Sequence, residues 1–95
     1  MIYANILLTV QNEADVPEVR ELLREHAGLS RAEPGCLRFE LYHSKNDPKV
    51  FLIFERWESS AALDVHRTAK GYTQIYQPKV LPRVTRVAYP CDLIE

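Results

Sequence analysis

One stretch constrains this chain more than any other. Val50–Tyr72, reading VFLIFERWESSAALDVHRTAKGY, changes its hydrophobic period once, near the middle. Its first residues alternate, with Val50, Leu52 and Phe54 on one side and Phe51, Ile53, Glu55 and Trp57 on the other. Aromatic and β-branched residues uninterrupted by Gly or Pro predict a strand. Both sides are largely apolar, which predicts cover on both. Ser59 or Ser60 then caps a helix on which Ala62, Leu63, His66 and Ala69 share one face, opposite Ser60, Asp64, Arg67 and Thr68. His66 falls in the middle of the apolar stripe, so a titratable ring is aimed inward, near the strand that carries Trp57.

The remaining elements follow from the same two periods. Ile2–Val10 alternates as a strand. Asp15 and Glu18 have the spacing of a capping box and Pro17 suits a first turn, ahead of a helix running to about Ser30 with Val16, Val19, Leu23 and Ala27 as its stripe. Leu22 and His26 stand at the edge of that stripe, and His26 and His43 are expected at the surface. Glu33-Pro34-Gly35 is a turn, Cys36–Ser44 a second strand, and Lys45–Lys49 a hairpin connection. Beyond Gly71, the residues Tyr72, Ile75 and Tyr76 keep helical spacing until Pro78, and Arg83–Tyr89 is a last strand that Pro90 ends. The order β-α-β-β-α-β is the split βαβ of a ferredoxin-like sandwich, an α+β fold with a four-stranded antiparallel sheet and both helices on one face. A length of 95 residues predicts one domain, 1–95. Two helices cover one sheet face only, and the apolar residues of the other predict a homodimer packed sheet against sheet.

Charge and cysteines narrow the function. A net charge of −1, with acids and bases nearly balanced, gives no sign of nucleic acid or an anionic membrane as partner. No apolar run approaches the ~20 residues of a membrane span, and the N-terminus lacks a signal peptide's pattern, so a cytoplasmic protein is expected. Cys36 and Cys91 match no metal-binding or redox spacing and are expected to be free thiols. Neither a metal nor a cofactor is expected.

Two blocks of sequence carry a resemblance. Glu33-Pro-Gly-Cys-Leu-Arg-Phe-Glu-Leu-Tyr42 resembles the EPGC-x-x-F/Y segment of the antibiotic biosynthesis monooxygenase domain family. Phe54-Glu55-Arg56-Trp57-Glu58-Ser59, followed by Ala62-Leu63 and His66, is similar to that family's E-x-W-x-S…A-L…H block. The resemblance implies a dimeric α+β barrel with a pocket in each subunit between sheet and helices. Some members oxygenate phenols or quinols with molecular oxygen and no metal or flavin; others degrade haem or isomerise a phosphorylated sugar. On this footing His66 is the candidate base, Trp57 a flat wall of the pocket, and Tyr72 a hydrogen-bonding aromatic. Asn5 and Arg86 are candidate substrate anchors if they point into the same slot. Tyr76, at i+4 from Tyr72, is first a packing partner and also a candidate substrate contact. Such chemistry needs a base that titrates near neutrality and a dry apolar slot for a small aromatic substrate. Gly71 stands where many members carry a second histidine, which counts against a mechanism needing two imidazoles and so against an isomerase. Ile53 stands where some oxygenases carry an amide. Relatives that degrade haem resemble this chain at Asn5 alone. The competing reading is a non-catalytic small-molecule-binding or structural dimer, in which the space around His66 is filled by side chains.

Overall fold

Alternation along the strands decides what each sheet face carries. The computed structural model describes the whole chain, Met1–Glu95. Its strands are β1 (Ile2–Val10), β2 (Cys36–His43), β3 (Val50–Trp57) and β4 (Val84–Cys91), in the order β2-β3-β1-β4. All neighbours are antiparallel, and Ile2, Ala4, Ile6 and Leu8 lie opposite Trp57, Glu55, Ile53 and Phe51. These residues share the face towards the helices. Their odd-numbered neighbours on β1, Tyr3, Asn5 and Leu7, lie opposite Arg56, Phe54 and Leu52 on the outer face. The alternation of β3 is strict: Phe51, Ile53, Glu55 and Trp57 are buried, while Val50, Leu52, Phe54 and Arg56 are half-buried. The helix-facing side of the sheet is covered over most of β1 and β3 but open at β4, where Arg86, Ala88 and Pro90 are exposed, and the other side is partly open and carries Leu7, Leu52, Phe54, Tyr42 and Val87.

Helix α1 (Val16–Arg31) lays Val19, Leu23 and Ala27 against this inner face, and Tyr76 and Val80 complete the core. Full burial of each such side chain is worth ~1.5–3 kcal/mol. The start of α1 departs from the sequence expectation. Asp15 makes no side-chain capping bond; Asn12 does so one turn earlier, accepting from the Ala14 N–H at 3.0 Å and opening a 3₁₀ turn over Glu13–Asp15. The more upstream amide is better placed because Asp15 already has helical backbone angles.

Helix α2 (Ser60–His66) is capped by Ser59, which accepts from the Ala62 N–H at 3.1 Å. It ends at His66, before Ala69. The chain then continues as a π-helical segment over Gly71–Val80, where the Leu81 N–H reaches back to the Tyr76 carbonyl. Pro78 lies inside this segment rather than ending it. Pro90 likewise lies within β4. It is tolerated because β4 is an edge strand, where one side of the backbone needs no partner. No helix is long and apolar enough to cross a membrane, and both cysteines are free thiols.

The turn Glu33–Cys36 has proline second, glycine third with φ 81°, and a 3.2 Å bond from the Cys36 N–H to the Glu33 carbonyl. This is the pattern of a type II turn. The Gly35 carbonyl accepts from the Glu58 N–H at 2.8 Å, and a Cβ on Gly35 would stand 2.6 Å from the Ala62 Cβ. The turn is thus pressed against the start of α2. Gly35→Ala combines a left-handed backbone penalty with a clash, and it should destabilise the protein by about 2 kcal/mol or more in urea unfolding.

Candidate active site

The turn that presses on α2 also delivers a carboxylate to it. Glu33 Oε1 lies 2.7 Å from His66 Nδ1, with side chains only 13% and 3% exposed. A carboxylate that accepts the Nδ1–H fixes the imidazole's tautomer and leaves Nε2 as the nitrogen with a lone pair. The ring is held further by Trp57, whose centroid is 4.5 Å away, and by Tyr72, edge-on at 5.6 Å. The Trp57 indole N–H donates to Glu55 Oε1 at 2.9 Å, so this buried carboxylate is anchored from the same side.

His66 opens onto a cavity of about 100 Å³ between the inner sheet face and the helices. Ile2, Ala4, Ile6, Leu63 and Ala88 supply apolar walls; His26, Glu55, Tyr72, Tyr76 and Arg86 supply the polar groups. Its size is on the order of the ~150 Å³ apolar cavity known to admit a benzene ring. Arg86, from β4, donates its Nε–H to the Tyr76 hydroxyl at 3.0 Å. Burial pushes the Tyr76 phenol up to about 12, so it stays protonated and its own O–H remains available to a ligand. Burial also raises the Glu55 carboxyl, against the pull of the Trp57 bond, His66 and Arg86. Burial, and then Glu33 and Glu55, likewise raise the Cys36 thiol, which disfavours the reactive thiolate.

Of the residues singled out in the sequence, the structure brings His66, Tyr72, Tyr76 and Arg86 to one cavity. Asn5 is not among them. Strand parity puts it on the outer face, exposed, with its side-chain amide donating to Cys91 Sγ at 3.4 Å. Trp57 is not a wall of the cavity either. It is fully buried behind His66 and positions that ring.

Two residues were missed. The sequence shows Glu33 only as the first residue of a turn. His26, expected at the surface, is 1% exposed and lines the cavity. Its ring stacks on Tyr76 at 4.6 Å, meets Phe39 edge-on at 5.3 Å, and lies 5.6 Å from His66. Its Nδ1 is sealed from solvent against the Gly71 backbone, whose hydrogen bond to the ring raises its pKa against the effect of burial. A Cβ at Gly71 would come within 3.0 Å of that atom, so the glycine leaves room for the ring. The second imidazole that Gly71 lacks arrives from α1. The spacing Val19, Leu23, His26, Ser30, all buried, held the signal: it is the continuation of one helical stripe.

Comparison with known proteins agrees with this architecture. Residues 1–77 match the family described as antibiotic biosynthesis monooxygenase. A Mycobacterium tuberculosis protein named as a candidate monooxygenase is 38% identical over 68 residues, 72% of this chain and 65% of that one. An uncharacterized Synechocystis protein is 46% identical over 37 residues, 39% of this chain and only 25% of its own length. The chain thus spans a quarter to about two thirds of the length of these relatives. A crystal structure of an antibiotic biosynthesis monooxygenase superposes with a TM-score of 0.86 at 25% identity, covering 98% of this chain and 99% of that one. A conserved protein of unknown function from Bacteroides thetaiotaomicron has the same fold, with a TM-score of 0.88 at 23% identity over 97% and 96% of the two chains.

The burial of His26 has a consequence for stability. Desolvation first, then the charge of His66, lowers its imidazole from 6.5 to about 4. The unfolded chain therefore binds a proton that the folded chain refuses between those values. This contribution is complete above pH 6.5 and is lost as pH falls towards 4, by about 3 kcal/mol. Urea unfolding from pH 7.5 to 4 should show wild type losing that much more than His26→Phe. The raised Glu55 works in the opposite sense but in both proteins, so the difference isolates His26.

Proposed function

This chain belongs to the antibiotic biosynthesis monooxygenase family, and from that premise we propose that it is a cofactor-independent monooxygenase of a small phenolic or quinol substrate. The reading is carried by one observation: an imidazole braced by a half-buried carboxylate opens onto a small, mostly apolar cavity. His66 Nε2 takes the phenolic proton, and Glu33 supplies the counter-charge for the imidazolium that results. The electron-rich anion then reduces molecular oxygen directly. For a hydroquinone the balance closes with one oxygen atom entering the ring, the other leaving as water, and the product a hydroxyquinone. Arg86 and Tyr76 face the anion, and the apolar walls limit the water around it. Trp57 and Tyr72 hold the His66 ring in place.

The family's dimer enters the proposal through the outer sheet face. Leu7, Leu52, Phe54, Tyr42 and Val87 form an apolar surface with no helix over it, and a second copy of the chain packed sheet to sheet would bury it. Light scattering should give a mass of twice 11.0 kDa. Leu52→Arg, in the middle of that surface, should give the monomer with secondary structure retained.

Oxygen uptake with a panel of hydroquinones tests the chemistry. His66→Ala should abolish turnover above the uncatalysed rate. Glu33→Gln keeps the hydrogen-bonding shape but removes the counter-charge, and should lower kcat/KM by about 10- to 100-fold, a charge-assisted bond being worth ~1.5–3 kcal/mol. Wild-type uptake no faster than background, with binding retained, would instead favour the non-catalytic binding dimer.

A further inference from the structure

The cavity has a mouth, and the charge there is unbalanced. Arg67, just past the end of α2, and Arg86, Ala88 and Pro90 of β4 are the exposed lining residues and mark the opening; every other lining residue is buried or half-buried. Arg67 shares its charge with Asp64 at 3.5 Å. Arg86 makes no ion pair. Its side chain makes one hydrogen bond, from Nε–H to the Tyr76 hydroxyl at 3.0 Å. Tyr76 is 2% exposed, so the guanidinium reaches from a buried phenol to the rim, with both Nη groups left over. The acids nearby are otherwise engaged. Glu33 meets His66, and Glu55 holds the Trp57 indole and pairs with neither arginine. Burial drives Glu55 towards the neutral acid, against the pull of both arginines.

We infer that this mouth is an anion subsite, in which the Nη groups of Arg86, aided by Arg67, hold a carboxylate carried on the substrate's ring, so that the substrate is a small phenolic acid. The inference rests on reading the cavity as the site of a small aromatic substrate. The enclosed space, about 100 Å³, is no larger than one ring needs, against the ~150 Å³ cavity that admits benzene, so a substituent must lie at the opening. The free Nη edge of a guanidinium presents two parallel N–H groups, which match the two oxygens of a carboxylate. One charge without a counter-charge calls for a monoanion, which favours a carboxylate over a phosphate ester. The Tyr76 bond holds the guanidinium in place, so less side-chain freedom is lost on binding. Burying a carboxylate among the apolar walls is costly, whereas at the rim it stays partly in water. The substrate therefore enters phenol first, and the same arginine acts on the phenolate through Tyr76 and on the carboxylate directly.

The probes are 3- and 4-hydroxybenzoate, each set against the neutral amide of the same shape, in calorimetric titration of the wild-type chain. At least one acid should bind about 10-fold tighter than its amide, the worth of a hydrogen bond to a charged group. That gap should close as salt rises, because the subsite is partly exposed. Arg86→Gln should remove most of the preference for the acid, Arg86→Lys should restore part of it without the two-pronged edge, and Arg67→Gln should narrow it less. The wild-type comparison and its salt dependence stand whatever the variants' folding. Equal binding of acid and amide, a preference that Arg86→Gln leaves intact, or tighter binding of 4-hydroxyphenyl phosphate than of either acid overturns the carboxylate subsite while leaving the cavity as an aromatic site. A wild type that binds neither acid nor amide overturns both.

Discussion

The contact between Glu33 and His66 is the interaction on which the inner architecture depends. It joins a turn between α1 and β2 to the last residue of α2, 33 positions away. Each end is fixed by something local. Gly35 adopts a backbone angle that leaves no room for a side chain against Ala62, which brings the turn close to α2. Ser59 sets where α2 begins, and so which residue of that short helix points inward. Trp57 fills the space behind the imidazole and in turn anchors Glu55. A change in any of these moves a carboxylate away from a ring that is almost entirely out of water, where an unmade bond is expensive.

Around that contact the fold separates tasks by sheet face. Side chains of one parity on β1 and β3 build the core and the cavity floor, while those of the other parity form the surface available for association. Within the cavity the separation is electrostatic. One imidazole has an acid beside it, and the other is packed among aromatic rings and backbone, where burial lowers its pKa. Acid and base assignments in enzymes commonly arise in this way, from environments that push like groups apart.

The sequence made the architecture readable because its two periods were clean. β3 ran from Val50 to Trp57 as its alternation required, and Ser59 capped α2. His66 was legible for the same reason, as one polar residue in an apolar stripe. Strand parity turns the candidate anchor Asn5 away from the cavity: a residue between Ala4 and Ile6 cannot share their side of a strand. His26 stands at the edge of the apolar stripe in sequence, yet Val19, Leu23 and Ser30 continue its line along α1, and all are buried. Glu33 was illegible in a stricter sense. Nothing in the local pattern of a turn says which distant side chain its acid will meet, because that contact is made only when α2 docks. The π-helical course of Gly71–Val80 was hidden likewise, since the spacing of Tyr72 and Tyr76 suits an ordinary helix too.

Pro90 in β4 and the irregular pairing of β2 between Cys36 and Arg38 occupy the two margins of the sheet. Each interrupts the row of backbone groups that an incoming chain would need for zipping alongside. Sideways growth into ribbons or fibrils is thereby discouraged at both borders, and the exposed backbone is kept from becoming a template.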